Sequence, residues 1–174
     1  MGSLTWYVVL VGAVVVERLA ELVVARRNAQ WALSRGGVEY GKSHYPPMVL
    51  LHTGFLIACL VEVSIADRPF VPVLGWSMLV LVVLAQALRW WCIRTLGRRW
   101  NTRVIVLPGL PLVFSGPYRW LPHPNYVAVV VEGFALPLVH TAWVTAIAFS
   151  ALNALLLLGF RLPVERRALA GESA

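Results

Sequence analysis

Charged residues are scarce in this chain of 174 residues. Asp, Glu, Lys and Arg make up 13% of it, whereas 59% of the residues are hydrophobic. A soluble globular domain carries about 25% charged residues, so the composition excludes an ordinary soluble domain. The chain also lacks Ser- or Gly-rich linkers and internal repeats of fixed period. The sequence therefore predicts one membrane-embedded domain over residues 1–174.

Cysteine is equally rare. The two cysteines, Cys59 and Cys92, both lie in apolar segments. Two are too few for a disulfide framework, and a thiol in apolar surroundings behaves as a small hydrophobic group. We expect both to serve packing, and the sequence predicts no metal site.

The first hydrophobic segment, residues 4–25, lacks the marks of a removable signal peptide. No basic region precedes it and no cleavage site of small residues follows it. Glu17, Arg18 and Glu21 also interrupt it. We expect this segment to be retained as a helix.

Long apolar segments predict an all-α integral membrane fold. A helix needs roughly 20 residues to cross about 30 Å of hydrocarbon. Four segments reach that length, namely residues 4–25, 47–66, 71–93 and 141–160. A fifth, residues 126–140, is shorter, and Pro137 near its end favours a bent span that closes a hairpin with the next helix. Five transmembrane helices are predicted, and four spans with a re-entrant piece are the alternative.

The basic residues lie almost entirely on one side of this five-span topology. They occupy the loop after the first span, the long segment after the third and the tail after the fifth, and the other side holds only Arg68. The positive-inside rule then places the N-terminus outside and the C-terminus in the cytoplasm. We expect the basic surface to face anionic membrane lipids and no nucleic acid, because nothing in the chain resembles a nucleic-acid-binding module.

Residues 94–125 are the least membrane-like part of the chain. Two short hydrophobic pieces, residues 104–107 and 112–114, are separated by Pro108 and Gly109, which predicts extended segments lying over the helix ends. The segment and the helix end before it carry the aromatic residues Trp90, Trp91, Trp100, Tyr118 and Trp120. These are expected either to anchor the protein at headgroup level or to wall a lipid-facing substrate entrance.

The run Pro122-His123-Pro124-Asn125-Tyr126 comes directly before the short span. Proline is favoured in the first turn of a helix, so Pro124 is predicted to begin the helix with His123 at its cap. A helix start presents free N–H groups and a positive dipole end, which suits a carboxylate or a phosphate. His123 adds a donor or a base, and Tyr126 adds a hydroxyl. The alternative is a capping histidine beside an interfacial tyrosine.

Ionisable groups inside the spans indicate either a functional site or a buried ion pair. Glu132 lies seven residues after Asn125, so two helical turns place both on about the same face. Glu17 and Glu21 share a face of the first span, where we expect structural pairs with arginines such as Arg89. Glu132 fits both interpretations.

Arg161 and Glu165 follow the last span. One interpretation is that the Arg161 side chain extends to the membrane interface and that the Glu165 carboxylate is solvated. However, Glu165 emerges on the same predicted membrane side as His123. A carboxylate in that position is able to accept hydrogen bonds from both hydroxyls of a ribose.

In combination, these pieces resemble the isoprenylcysteine carboxyl methyltransferase family. The resemblance rests on the run Gly116-Pro-Tyr-Arg-Trp-Leu-Pro-His-Pro-Asn-Tyr126, a hydrophobic hairpin, and then Arg161, Glu165 and Leu169. The family pattern is Arg-His-Pro-x-Tyr-x-Gly, a hydrophobic stretch, and Glu-Glu. The upstream residues 26–46 look like a bacterial branch found beside type III polyketide synthases, which implies a location in a bacterial plasma membrane.

Three positions depart from the family pattern. Pro122 stands where Arg is usual, Ala128 where Gly is usual, and Arg166 where the second Glu is usual. Arg119 is the nearby substitute for the missing arginine. Glu165 is left as the sole carboxylate for a cofactor.

The resemblance implies transfer of a methyl group from S-adenosylmethionine to an oxygen of a hydrophobic acceptor, at a cytoplasmic cofactor site formed by the C-terminal half. The implied cofactor-binding residues are His123, Asn125, Tyr126, Arg161 and Glu165. The implied catalytic residues are His123, Arg119 and Glu132. The bacterial branch favours an alkylresorcinol or an alkylpyrone over a prenylcysteine as acceptor. Two alternatives stay open: an NADPH-dependent membrane reductase with similar C-terminal helices, and a non-catalytic membrane subunit.

Overall fold

The structure, a computed structural model, describes residues 2–170 and is almost entirely helical. The long helices are α1 Ser3–Leu33, α2 Tyr45–Ile65, α3 Pro72–Leu96, α4 Pro124–Leu138 and α5 Trp143–Leu156. A π-helical turn, Leu157–Arg161, continues α5 into α6, Leu162–Ala170. Two short strands, β1 Val38–Tyr40 and β2 Val104–Val106, pair antiparallel with Glu39 opposite Ile105.

Three helical stretches have the length and apolar composition of a membrane span. They are Lys42–Ile65, Pro72–Arg99 and Trp143–Ala170. These stretches support the prediction of an integral membrane protein. By contrast, α4 is shorter, with 15 residues, and α1 is not among the three stretches. The count of five spans therefore stays a prediction.

The bundle has two ends, which we call the strand end and the hairpin end. At the strand end, α6 packs against both strands. At the hairpin end, the turn between α4 and α5 meets the loop between α2 and α3, where the Thr141 hydroxyl donates a hydrogen bond of 2.7 Å to the Pro69 carbonyl. Glu62 of α2 accepts hydrogen bonds from the backbone N–H groups of Val144 and Thr145 at 3.2 and 2.7 Å. These bonds satisfy donors that a helix start leaves free.

The predicted hairpin between the fourth and fifth helices is confirmed. Pro137 lies in the last turn of α4, and Thr141 makes the reversal with a positive φ of 54°. Gly133 allows the two helices to approach closely, because a Cβ atom at this position would lie 2.1 Å from the Phe149 ring. Small residues commonly permit such close contacts between membrane helices.

The all-α prediction needs one correction. Residues 104–106 form β2, as their extended pattern predicted, but β1 was not expected because its partner lies more than sixty residues away in the chain. Residues 112–114 form no strand. The first helix also runs on to Leu33, beyond the predicted end at residue 25.

An ionic cluster of five buried or half-buried side chains joins α1, α3 and α4. Its members are Glu17, Arg18, Glu21, Arg89 and Glu132. Arg89 donates a hydrogen bond of 2.6 Å to Glu132, and Arg18 donates one of 2.7 Å to Glu21. The expected pairing of Glu17 and Glu21 with arginines is therefore confirmed. Unpaired charges are costly in an apolar interior, so this cluster fixes how the three helices face each other.

The first prediction concerns the pair Arg89–Glu132. Arg89→Met should lower the free energy of unfolding by about 3–5 kcal/mol, because it leaves a buried carboxylate without its main partner. The double variant Arg89→Met, Glu132→Leu should recover part of that loss. Thermal unfolding in detergent, followed by tryptophan fluorescence, measures both. The exposed Arg26→Met is the matched control, and a double variant as unstable as the sum of its single variants would contradict the pairing.

The second prediction concerns orientation. Single cysteines at the exposed positions Arg35 and Asp67 lie at the strand end and the hairpin end. The native Cys59 and Cys92 are fully buried and should stay silent. In intact cells, a membrane-impermeant thiol reagent should label position 67 and leave position 35 unlabelled. The reverse pattern would invert the predicted topology.

Candidate active site

Three of the predicted site residues meet at the strand end. The Tyr126 hydroxyl donates a hydrogen bond of 2.6 Å to Glu165 Oε2. His123 Nδ1 lies 3.8 Å from Glu165 Oε1. The rings of His123 and Tyr126 stack, with 5.4 Å between their centroids and an interplanar angle of 18°. The two ends of the family-like pattern are thus in contact.

The start of α4 places His123 and Tyr126. The helix begins at Pro124 with His123 at its cap, as the sequence predicted. Proline suits this position because the N–H group it lacks would have had no helical partner. Tyr126 is three residues after His123, and residues at this spacing lie on one side of a helical turn.

A π-helical turn places Arg161 and Glu165. It spans Leu157–Arg161, between α5 and α6. Pro163 contributes to this irregularity, because it has no N–H group to bond the carbonyl of Gly159. Such turns are frequent at functional sites. The turn directs α6 so that Glu165 contacts Tyr126 and the helix packs against the two strands.

A cavity opens beside these residues at the strand end. Its volume is about 170 Å³, and a second space of about 380 Å³ continues it beneath residues 107–114. We call the two together the surface cavity. The five residues predicted to bind a cofactor all line it, namely His123, Asn125, Tyr126, Arg161 and Glu165. Arg99 also lines it and holds the covering segment, donating a hydrogen bond of 2.7 Å to the Pro111 carbonyl.

Another cavity of about 170 Å³, which we call the inner chamber, is lined by all five long helices and is about as open to the outside as the surface cavity. Its wall includes Arg18, Glu21 and Arg89 of the ionic cluster, and His52 of α2. Residues that border both the inner chamber and the surface cavity are Trp100, Asn101, Asn125, Tyr126 and Arg161. These five residues, which we call the shared wall, border both spaces.

Unpartnered polar atoms concentrate at the inner chamber. Among residues 2–170, eleven buried side-chain N or O atoms have no hydrogen-bond partner, and seven of them belong to residues that line this chamber. They include Asn125 Oδ1 and Arg161 Nε on the shared wall. A buried polar atom left without a partner costs about 1–3 kcal/mol. The chamber and its shared wall are thus chemically suited to polar groups of a ligand.

The other two predicted catalytic residues lie elsewhere. Arg119 is exposed and lines neither cavity. Glu132 is buried in the ionic cluster, paired with Arg89 and 3.5 Å from Arg18. Its position matches the structural alternative that the sequence left open. A direct part for either residue in catalysis stays a prediction.

Sequence reasoning missed Asn101 and His52. Asn101 reaches the shared wall from the irregular segment before β2, and no local pattern distinguishes it from an ordinary loop residue. His52 is a single histidine in a long apolar helix, a signal that was present but not used.

Tyr118, an aromatic residue expected either to anchor the protein or to border a substrate entrance, lines the surface cavity. Burial and the neighbouring Cys92 thiol raise the pKa of Tyr118 above its ordinary value, so its phenol stays protonated.

Comparison with known proteins adds independent evidence. The model of the isoprenylcysteine carboxyl methyltransferase (ICMT) family matches residues 78–171, the half that carries most of the surface cavity. The uncharacterized protein YpbQ of Bacillus subtilis (strain 168) is 39% identical over 161 residues, which cover 92% of this chain and 94% of that protein. An uncharacterized protein of Haemophilus influenzae is 24% identical over 87% of this chain and 88% of its own length.

A shorter likeness involves a different kind of protein. The protein-methionine-sulfoxide reductase heme-binding subunit MsrQ of Brucella anthropi is 38% identical over 63 residues, which is 36% of this chain and 28% of that protein. No solved structure matches the chain. The family match covers more than half of the chain and includes His123, Tyr126 and Glu165. The chain therefore belongs to the isoprenylcysteine carboxyl methyltransferase family, a family of membrane methyltransferases.

Proposed function

We propose that the protein transfers a methyl group from S-adenosylmethionine to an oxygen atom of a lipidic acceptor. One observation carries the proposal: a surface cavity that presents His123, Arg161 and Glu165, and a mostly apolar inner chamber, share a wall that contains Tyr126, Asn125 and Arg161. Methyl transfer needs a water-soluble cofactor and a hydrophobic acceptor to meet at one point. Two cavities with a common wall provide such a point.

The residues of the surface cavity fit the polar groups of the cofactor. The Glu165 carboxylate suits ribose hydroxyls, and the Arg161 guanidinium and His123 suit a carboxylate. Asn125 Oδ1 offers an unpartnered acceptor. The larger part of the cavity, about 380 Å³, falls within the roughly 300–1,000 Å³ of small-molecule sites. When bound, S-adenosylmethionine supplies a methyl group on a positively charged sulfur.

The inner chamber fits an acceptor with a small polar head and a long tail. An apolar groove between α2 and α5 is open to the outside and reaches Phe55 and Phe149. A small pocket lined by the same two phenylalanines also includes His52 and Arg89 of the chamber wall. In a membrane, the groove would lead from the hydrocarbon region towards the chamber, and the rings of Phe55 and Phe149, in contact at 4.1 Å between centroids, would have to move apart to admit an acceptor.

The charge of the ionic cluster favours a hydroxyl acceptor over a carboxylate. The cluster contains two arginines and three glutamates, so it holds no surplus positive charge for an anionic head. The further arginine of the chamber wall, Arg161, also lines the surface cavity, where we assign it to the carboxylate of the cofactor. A neutral phenol or pyrone can instead donate and accept hydrogen bonds with the polar groups of the chamber wall. We therefore place a long-chain alkylresorcinol or alkylpyrone ahead of a prenylcysteine.

The protein's own residues act mainly by positioning and by exclusion of water. Bringing two reactants into an aligned arrangement accounts for a large share of the rate enhancement in group transfer. The contact of Tyr126 with Glu165 closes the helix start of α4 against α6. This contact holds Tyr126 in the shared wall, where acceptor and cofactor would come together.

The third prediction tests the cofactor site. S-adenosylhomocysteine should bind the detergent-solubilised protein and raise its melting temperature, because a ligand of the folded state stabilises it. Loss of a hydrogen bond to a charged group costs about 1.5–3 kcal/mol, so Glu165→Ala should weaken binding by about 10- to 100-fold.

The control for this test is Asp67→Asn, at an exposed hairpin-end position whose φ of 45° asparagine tolerates. NADPH is the competing ligand, because Arg99 and Arg103 also line the surface cavity and suit a 2′-phosphate. Stabilisation by NADPH and none by S-adenosylhomocysteine would favour the reductase alternative. An unchanged dissociation constant in Glu165→Ala would remove Glu165 from the site.

The fourth prediction tests His123. Transfer of labelled methyl groups is followed in proteoliposomes, with an alkylresorcinol, an alkylpyrone and a farnesylcysteine analogue as acceptors. His123→Ala should lower the rate by about 10²–10³, the typical cost of one lost transition-state hydrogen bond. The melting temperature should change little, because the His123 side chain is partly exposed.

The choice of acceptor is decided in the same assay. The phenolic or pyrone lipid should react faster than the farnesylcysteine analogue. A protein that binds S-adenosylmethionine but labels none of the three acceptors would contradict methyl transfer to this class of lipid.

A further inference from the structure

His52 is a titratable residue that lines the inner chamber. The proposed function does not yet assign a role to it. It lies on α2, one helical turn after Met48, and its Nδ1 atom is 2.9 Å from the Met48 carbonyl oxygen. A carbonyl oxygen only accepts hydrogen bonds, so Nδ1 carries the proton of the neutral ring. The lone pair is therefore on Nε2. The ring also packs edge-on against Phe149, with 5.3 Å between centroids, which restricts its rotation.

The carboxylates around the chamber are already paired with arginines or a tyrosine. Glu21 Oε2 accepts a hydrogen bond of 2.7 Å from Arg18, and Glu21 Oε1 has no hydrogen bond but lies 3.7 Å from Arg89 Nε. Glu132 accepts a hydrogen bond of 2.6 Å from Arg89. In the neighbouring surface cavity, Glu165 accepts the hydroxyl hydrogen of Tyr126. Among the described residues of the chamber wall, His52 is the group whose neutral form offers a nitrogen lone pair to a ligand.

A hydroxyl acceptor needs such a group. The pKa of a phenol is about 10, so at neutral pH the oxygen still holds its proton and is a weak nucleophile. We propose that His52 Nε2 takes the proton of the acceptor hydroxyl in the inner chamber, an inference that rests on the proposed methyl transfer. His52 would then be a catalytic residue that touches the reacting oxygen.

The step balances in atoms and charge. The O–H bond of the acceptor breaks, and its proton passes to Nε2. The acceptor oxygen forms a bond to the methyl carbon, while the S–CH₃ bond breaks and its electron pair stays on sulfur. The products are a methyl ether, a neutral thioether and the His52 imidazolium, which releases its proton to solvent after the ether leaves.

The test compares two acceptors that differ in acidity. They are alkylphenols of equal chain length, and one carries a para-nitro group that leaves it ionised at mildly alkaline pH. His52→Gln should lower kcat/KM for the plain phenol by about 10²-fold, and for the ionised nitrophenol by no more than about threefold. His44→Gln is the matched control, because His44 packs on Phe160 and lines neither cavity. It should leave both rates unchanged.

Equal losses on the two acceptors would overturn the proposal, because a merely structural role for His52 would not depend on acceptor acidity. A wild-type protein that binds S-adenosylhomocysteine but methylates neither phenol would instead contradict the proposed function. These two failures are distinguishable in the same set of assays.

A second readout needs neither cofactor nor turnover. The absorbance of the nitrophenol bound to cofactor-free protein gives the fraction that is phenolate at each pH. The other charged and titratable groups around the chamber are the same in both proteins, namely Arg18, Glu21, Tyr45, Arg89, Tyr126, Glu132 and Arg161. Only position 52 differs. The pKa of the bound phenol should be lower by about 1 in the wild type than in His52→Gln, because the imidazolium stabilises the phenolate. Identical titration curves would overturn the assignment of His52 as the proton acceptor.

Discussion

The arrangement of this bundle depends on charged side chains that lie, buried or half-buried, between apolar helices. Arg89 and Glu132 are joined at 2.6 Å between α3 and α4, and Arg18 links α1 to both. A charge in an apolar interior must be paired and hydrogen-bonded, since an uncompensated one costs several kcal/mol. The pairing therefore selects one rotation for each of the three helices. The remaining core is apolar and would allow several rotations by itself.

The site follows from that choice of rotation. Once Glu132 faces the ionic cluster, the same helix presents Tyr126 to the wall between the surface cavity and the inner chamber. Gly133 then brings α4 against Phe149 of α5, and the π-helical turn after α5 leads Glu165 onto Tyr126. In this order, a structural ion pair in the middle of α4 positions the candidate site at the start of the same helix. Glu132 thus serves the site by orientation, whatever else it contributes.

Local sequence patterns predicted the parts of this structure that depend on local physics. Hydrophobic length gave the long helices, Pro124 marked the start of α4, and Pro137 marked the hairpin. The meeting of His123, Tyr126 and Glu165 was expected from the family-like pattern, and the structure brings these residues together. The pairing of β1 with β2 and the capping of α5 by Glu62 escaped prediction, because each joins residues more than sixty positions apart. The inner chamber escaped it for the same reason, since its wall is assembled from all five long helices and the segment before β2.

The family match and the cavities cover different, though overlapping, parts of the chain. The match to the methyltransferase family covers residues 78–171, whereas the inner chamber also uses α1 and α2, which lie outside that match. The acceptor is therefore expected to be selected by the N-terminal helices and the cofactor to be held by the C-terminal ones.

An experimental structure with S-adenosylhomocysteine and an alkylresorcinol bound together tests this division most directly. The account predicts the nucleoside against Glu165 in the surface cavity, and the phenolic head in the inner chamber, on the other side of Tyr126. Both ligands on the same side of Tyr126, or the nucleoside away from Glu165, would contradict it.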